Sequence, residues 1–115
     1  MQIFKDDHLS IDGSAVCCDS RKLVLTRKEF ELLAILSRNE GEIIPRPVLL
    51  ETVWGYRPGI RTRTLDVHIR RLRRKLGVYG DQYIQTVFGV GYRFERIRPS
   101  RPLRFADAAA FAIGA

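Results

Sequence analysis

Four apolar side chains, Leu65, Ile69, Leu72 and Leu76, recur at i, i+4, i+7 and i+11. At about 3.6 residues per turn that spacing lines one side of a helix, so a helix is predicted from about Arg63 or Thr64 to Leu76, with Gly77 ending it. The rest of the segment is strongly basic. Residues 57–76 hold eight basic side chains (Arg57, Arg61, Arg63, Arg70, Arg71, Arg73, Arg74 and Lys75) and one acid, Asp66. The chain as a whole carries +7, and this stretch alone accounts for +7, because residues 1–56 (−2) and 77–115 (+2) cancel. A solvated helix face usually mixes signs, so a patch this one-sided points to a polyanion-binding surface. Seven of the eight are arginine, whose planar fork suits bidentate contacts to phosphate or guanine edges. Asp66 is expected to pair with Arg70 at i+4 rather than to meet a ligand.

With the apolar stripe turned inward, the other side of the helix presents Arg63, Thr64, Val67, His68, Arg70, Arg71 and Arg74. A helix of this width fits the major groove of B-DNA, where arginine reads guanine and Val67 meets a thymine methyl. Thr64, beside the positive end of the helix dipole, is placed to donate to a phosphate. Arg57 and Arg61 in the preceding loop are placed for backbone phosphate. Arg73 is expected half-buried against the domain or near phosphate. His68 is read as a groove contact, with a salt bridge or packing as its alternatives.

The surrounding chain reads as an α+β domain. Ile3-Phe4, Leu9–Ile11, Ala15–Cys18 and Leu23–Leu25 are short apolar runs separated by turn residues, and predict strands. Thr26 with Glu29 three residues later is a capping box that opens a helix ending near Asn39–Gly41. Ile43-Ile44 leads into a second helix from about Pro47 to Val53, closed by Trp54-Gly55-Tyr56. After the third helix and a turn at Gly80-Asp81, Tyr83–Phe88 and Tyr92–Glu95 predict a hairpin with Gly89-Val90-Gly91 at its tip. Gly89 and Gly91 are expected to supply positive φ, and Tyr92 and Phe94 to pack the hairpin on the core. Thr86, just before the tip, is placed to reach a phosphate. The predicted fold is thus a winged helix-turn-helix: an N-terminal antiparallel sheet, three helices and a C-terminal β-hairpin wing.

One domain of 1–95 with a Pro/Ala-rich tail of 96–115 fits the 115 residues, the tail leaving open a short docking helix or a frayed end. An apolar fraction of 45% argues against global disorder. No run approaches the ~18 apolar residues of a membrane span, and Met1–Asp7 lacks the order of a signal peptide. The adjacent Cys17 and Cys18 suggest neither a disulfide framework nor a metal clamp. A cytoplasmic, reduced protein without cofactor or metal is the expectation. No Ser/His/Asp set, metal spacing or phosphate-binding glycine loop points to an enzyme. An RNA- or protein-binding winged helix is the alternative, although RNA readers display aromatics on an open sheet and the charge here is on a helix.

Three motifs now stand in order: Leu25–Leu33, Val53–Tyr56 with Arg63–Leu76, and Ile84–Phe94. Together they make residues 1–95 resemble the DNA-binding effector domain of OmpR/PhoB-type response regulators of two-component systems. The resemblance implies sequence-specific double-stranded DNA binding for transcription regulation. A recognition helix, Thr64–Leu76, would lie in the major groove and the wing, 84–94, on the backbone and adjacent minor groove. It carries over Arg63, Thr64, Val67, His68, Arg70 and Arg71 as the DNA-facing set, with Arg73 and Thr86 as backbone contacts. The loop from Trp54 to Thr62, with Gly55, Tyr56, Arg57 and Arg61, corresponds to one that touches RNA polymerase. A tandem homodimer on DNA is a further implied partner. Three departures stand out. Phe88 replaces the family's usual minor-groove arginine and is expected to pack, with wedging against sugars as its alternative. Pro45 replaces a capping serine, and the Arg57–Arg61 loop is unusually basic. No receiver domain is present, so the chain reads as an effector domain cut from a response regulator or as a stand-alone regulator.

Overall fold

The computed structural model describes residues 1–98. Four antiparallel strands come first, in sequential order: β1 (Gln2–Lys5), β2 (Leu9–Asp12), β3 (Ala15–Cys18) and β4 (Arg21–Lys22). Their alternation decides what is buried. Leu9 sits opposite Cys18 and Ile11 opposite Val16, and all four face the core. Cys17 therefore points the other way, and both thiols are free. The fourth strand lies earlier than expected. The Leu23 N–H still donates to the Val16 carbonyl of β3 (2.8 Å), and the chain then leaves the sheet, with Leu23 and Leu25 packed on the core and Val24 exposed. The Val24 carbonyl accepts from Lys75 Nζ (2.9 Å) instead of from a neighbouring strand.

The capping box predicted at Thr26 is present. Thr26 Oγ1 accepts from the Glu29 N–H, Glu29 Oε1 accepts from the Thr26 N–H, and α1 runs Arg27–Arg38. Ile43-Ile44 is more than a lead-in. It belongs to β5 (Ile43–Pro45), which pairs with the C-terminal hairpin. Helix α2 covers Arg46–Trp54, one residue longer at each end than predicted, and Pro45 caps it without a side-chain hydrogen bond. Helix α3 is Thr64–Lys75, with Leu76 as its C-cap.

Past Gly77 the structure departs from the predicted single turn. A 3-10 turn (Gly77–Tyr79) runs into a one-turn helix, α4 (Gly80–Tyr83), so Tyr83 ends a helix and β6 starts at Ile84. The cause is a close approach: a Cβ on Gly80 would collide with the Arg73 carbonyl, so bare backbone lets the chain fold back against α3. Tyr83 is thereby driven into the core. It stacks on Phe94 at 5.5 Å, meets Phe4 edge-on, and its hydroxyl donates to Asp6 (2.6 and 2.8 Å). That aromatic group joins the N-terminal sheet to the hairpin.

The hairpin pairs β6 (Ile84–Val87) with β7 (Gly91–Phe94), and the second sheet has the order β5-β7-β6. Its turn is Phe88–Val90, one residue earlier than predicted. Gly89 has φ +75°, as expected, but Gly91 does not need positive φ. Gly91 passes so close to the Ile44 carbonyl that a Cβ would strike it. Tyr92 and Phe94 are buried, as predicted. The tail proposed for 96–115 lies, beyond Arg98, outside the described residues.

Candidate nucleic-acid interface

Helix α3 has two opposed faces. Leu65, Ile69 and Leu72 are buried along it, Leu76 continues the stripe at the C-cap, and all four are fully packed. Almost directly opposite, Arg63, Val67, Arg70, Arg71 and Arg74 are exposed. Of the eight basic residues in 57–76, only Arg73 and Lys75 pair with a described carboxylate. The six other arginines carry their charge into solvent, where it adds up rather than cancels.

The flanks of α3 hold it in place. On one side, His68 Nδ1 bonds the Thr64 carbonyl (2.8 Å) and its ring meets Trp54 edge-on at 4.8 Å. The Thr64 hydroxyl shares a hydrogen bond with that of Thr62 (2.8 Å), which also accepts from the Thr64 N–H and so serves the helix start. Further along this side, Lys75 donates to Glu29 (2.6 Å), the buried capping-box carboxylate of α1. Burial pushes the Glu29 carboxyl up, but Lys75 and the Thr26 N–H outweigh it and hold the group below its usual range.

The other side faces the wing. Asp66 does not pair with Arg70. Its two oxygens receive both Nη atoms of Arg46 at the start of α2, and Oδ1 also accepts from the Tyr92 hydroxyl (2.7 Å). The Arg46 guanidinium holds Asp66 below the ordinary carboxylate range. Neither Arg46 nor Tyr92 was singled out for this role from sequence, because an i+4 rule sees only one helix. Arg73 is half-buried, as expected. Its Nε and Nη2 donate to the Ile84 carbonyl (3.0 and 2.8 Å), and Nη2 also reaches Thr86 Oγ1 (2.7 Å). One guanidinium thus fixes β6 against α3.

Beside the wing runs the 55–63 loop. Gly55 ends α2 in the left-handed conformation, and Trp54 and Tyr56 are half-buried on the core. Arg57 and Arg61 are exposed, and they line a groove shared with Gly89 and Val90 of the wing turn. Phe88 does not pack: it is 92% exposed at that turn. The structure therefore places Arg57 and Arg61 along one groove with the wing turn, leaves Arg63, Arg70, Arg71, Arg74 and Thr86 exposed, and holds Trp54, Tyr56, Thr64 and His68 half-buried. Among the described residues there is no metal-binding cluster and no helix long and apolar enough to cross a membrane.

A family model described as "Transcriptional regulatory protein, C terminal" matches residues 20–94. Transcriptional regulatory protein SrrA of Staphylococcus aureus (strain NCTC 8325 / PS 47) is 43% identical over 93 residues, which is 76% of this chain and 39% of SrrA. The chain spans well under half the length of that relative. Among solved structures, the OmpR/PhoB homolog DrrB of Thermotoga maritima matches with TM-score 0.72 at 33% identity, over 81% of this chain and 44% of DrrB. The DNA-binding domain of CpxR from E. coli matches with TM-score 0.71 at 31% identity, over 80% and 94%. That of RstA from Klebsiella pneumoniae, in complex with the RstA box, gives 0.73 at 30%, over 80% and 95%. With sheet, helices and wing in the order these domains share, the chain belongs to the C-terminal family of transcriptional regulatory proteins, as an OmpR/PhoB-type winged helix.

Proposed function

We propose that this chain binds double-stranded DNA in sequence-specific fashion to regulate transcription, with α3 in the major groove and the β6–β7 wing on the flanking backbone and minor groove. The carrying observation is the pair of opposed faces on α3: a fully buried apolar stripe and, across from it, arginines without carboxylate partners among the described residues. Arg70, Arg71 and Arg74 serve base edges and phosphate, and Val67, 39% exposed, serves a thymine methyl. Arg63, Arg57, Arg61 and Thr86 serve phosphate. Thr64 and His68 stand on the flank, so their contribution is the placement of the helix start. RstA, a structural relative of 30% identity, is described in complex with its DNA box, which supports the reading.

The function is binding rather than catalysis, carried out where the DNA is, in the cytoplasm. The exposed Arg57 and Arg61 on the wing side support phosphate contact by the 54–62 loop better than a contact with polymerase. The test is competition among duplex DNA, single strands and structured RNA, followed by two variants. Arg71→Ala should cut the preference for selected over scrambled duplex by about tenfold or more. Thr86→Ala should weaken both duplexes alike. Unchanged specificity in Arg71→Ala would mean the helix faces another way, and preference for RNA would replace the reading altogether.

A further inference from the structure

The wing turn carries a large apolar side chain that the fold does not use. Phe88 is 92% exposed, and Val90 beside it and Ile60 on the facing loop are 45% and 50% exposed. Scattered surface apolar residues are ordinary, but Ile60 and Val90 line one groove with the cationic Arg57 and Arg61, and Phe88 adjoins that groove through Gly89 in the same turn. The position of the turn is fixed. Arg73 ties Ile84 and Thr86 to the flank of α3, and the Val90 N–H donates to the Val87 carbonyl (3.0 Å), closing the turn with Phe88 at its leading corner. From Thr86 to Phe88 the strand advances roughly 7 Å. A duplex that receives α3 in its major groove presents its backbone and then its minor groove to such a tip.

The geometry points to Phe88 entering that minor groove as an apolar wedge, so that the wing selects a deformable pyrimidine–purine step. This rests on the DNA-binding reading and deepens it. A phenyl ring has no hydrogen-bonding group, so it cannot read the minor groove's donor and acceptor pattern. It can enter between base steps and unstack them, and TA and CA/TG steps open most cheaply. Arg57 and Arg61, in the groove beside the turn, are placed to meet backbone phosphates that flank the opened minor groove. Specificity at this position comes from the stiffness of the DNA rather than from its base edges.

The experiment selects bound sequences from a random 30-base-pair duplex library, with the full 115-residue chain and its Phe88→Ala and Phe88→Leu variants. The wild type should enrich a TA or CA/TG step at a fixed offset from the bases read by α3. Phe88→Ala should lose that step, keep the α3 bases and bind the wild-type consensus about tenfold more weakly. Its salt dependence should be unchanged, since a neutral side chain releases no counterion. Phe88→Leu should keep the step. Identical enrichment and affinity in Phe88→Ala would overturn the wedge while the DNA-binding reading stands. A wild-type chain that enriches no duplex sequence would overturn both.

Discussion

Asp66 shows how a single side chain in a basic field is used. It is the only acid in residues 57–76, and it joins three elements by holding Arg46 of α2 and the Tyr92 hydroxyl of β7 from its place on α3. The sequence permitted the conclusion that Asp66 is structural. Its partner was illegible, because Arg46 lies 20 residues away and only the packing of α2 brings it near. Arg73 was legible in the same limited way: half-burial followed from its position between stripe and charge, but the Ile84 carbonyl and Thr86 hydroxyl it serves belong to another sheet. Asp66 and Arg46 are each more than a third exposed, so water screens the pair and moderates its worth. Asp66→Ala should lower unfolding stability by about 1 kcal/mol, read from the urea midpoint. An unchanged midpoint would show that the three-way contact adds nothing. Phe88 is the residue the sequence misjudged, since packing was expected and nothing in the turn covers it.

At the scale of elements, the helices with clear periodicity or caps were readable, and the pieces set by tertiary contact were not. Helix α1 follows from Thr26 and Glu29, and α3 from its four-residue stripe. β5 and α4 escaped, because three residues of strand and one turn of helix have no period to detect; β7 and the close packing of Gly80 on Arg73 define them. Adding a Cβ at either close approach should therefore be costly. Gly80→Ala and Gly91→Ala should each lose about 1–3 kcal/mol, measured by denaturant unfolding, whereas a neutral result would mean the backbone there has room.

The capping box also gains a second partner in Lys75, which links α1 to the end of α3. Glu29 titrates in the folded chain below its ordinary 4.5. A carboxyl depressed on folding contributes its full stability above that value and loses it as pH falls through the folded value. Stability should therefore decline on acidification below about 4.5. Glu29→Gln should flatten that decline; an equally steep acid limb in the variant would remove Glu29 from the explanation.

For the whole molecule, the decisive property is the separation of charge from core. The fold spends one side of α3 on packing against α1, α2 and α4, and the flanks of the same helix on Glu29, Arg46, Trp54 and the wing. What remains is the outward side of α3 with Arg63, Arg70, Arg71 and Arg74 exposed, and beside the wing turn a loop with Arg57 and Arg61 exposed. The chain's +7 was therefore a statement about one segment from the start, and the structure refines it by removing Arg73 and Lys75 to structural duty. Six arginines are left: Arg57, Arg61, Arg63, Arg70, Arg71 and Arg74. The direct measurement is the affinity of the chain for a duplex across a range of salt concentrations. If most of these six meet phosphate, log affinity should fall against log salt with a slope of about −3 to −5, and each Arg→Ala change at a phosphate contact should reduce it by about one. A flat dependence on salt would contradict the assignment of this face to DNA.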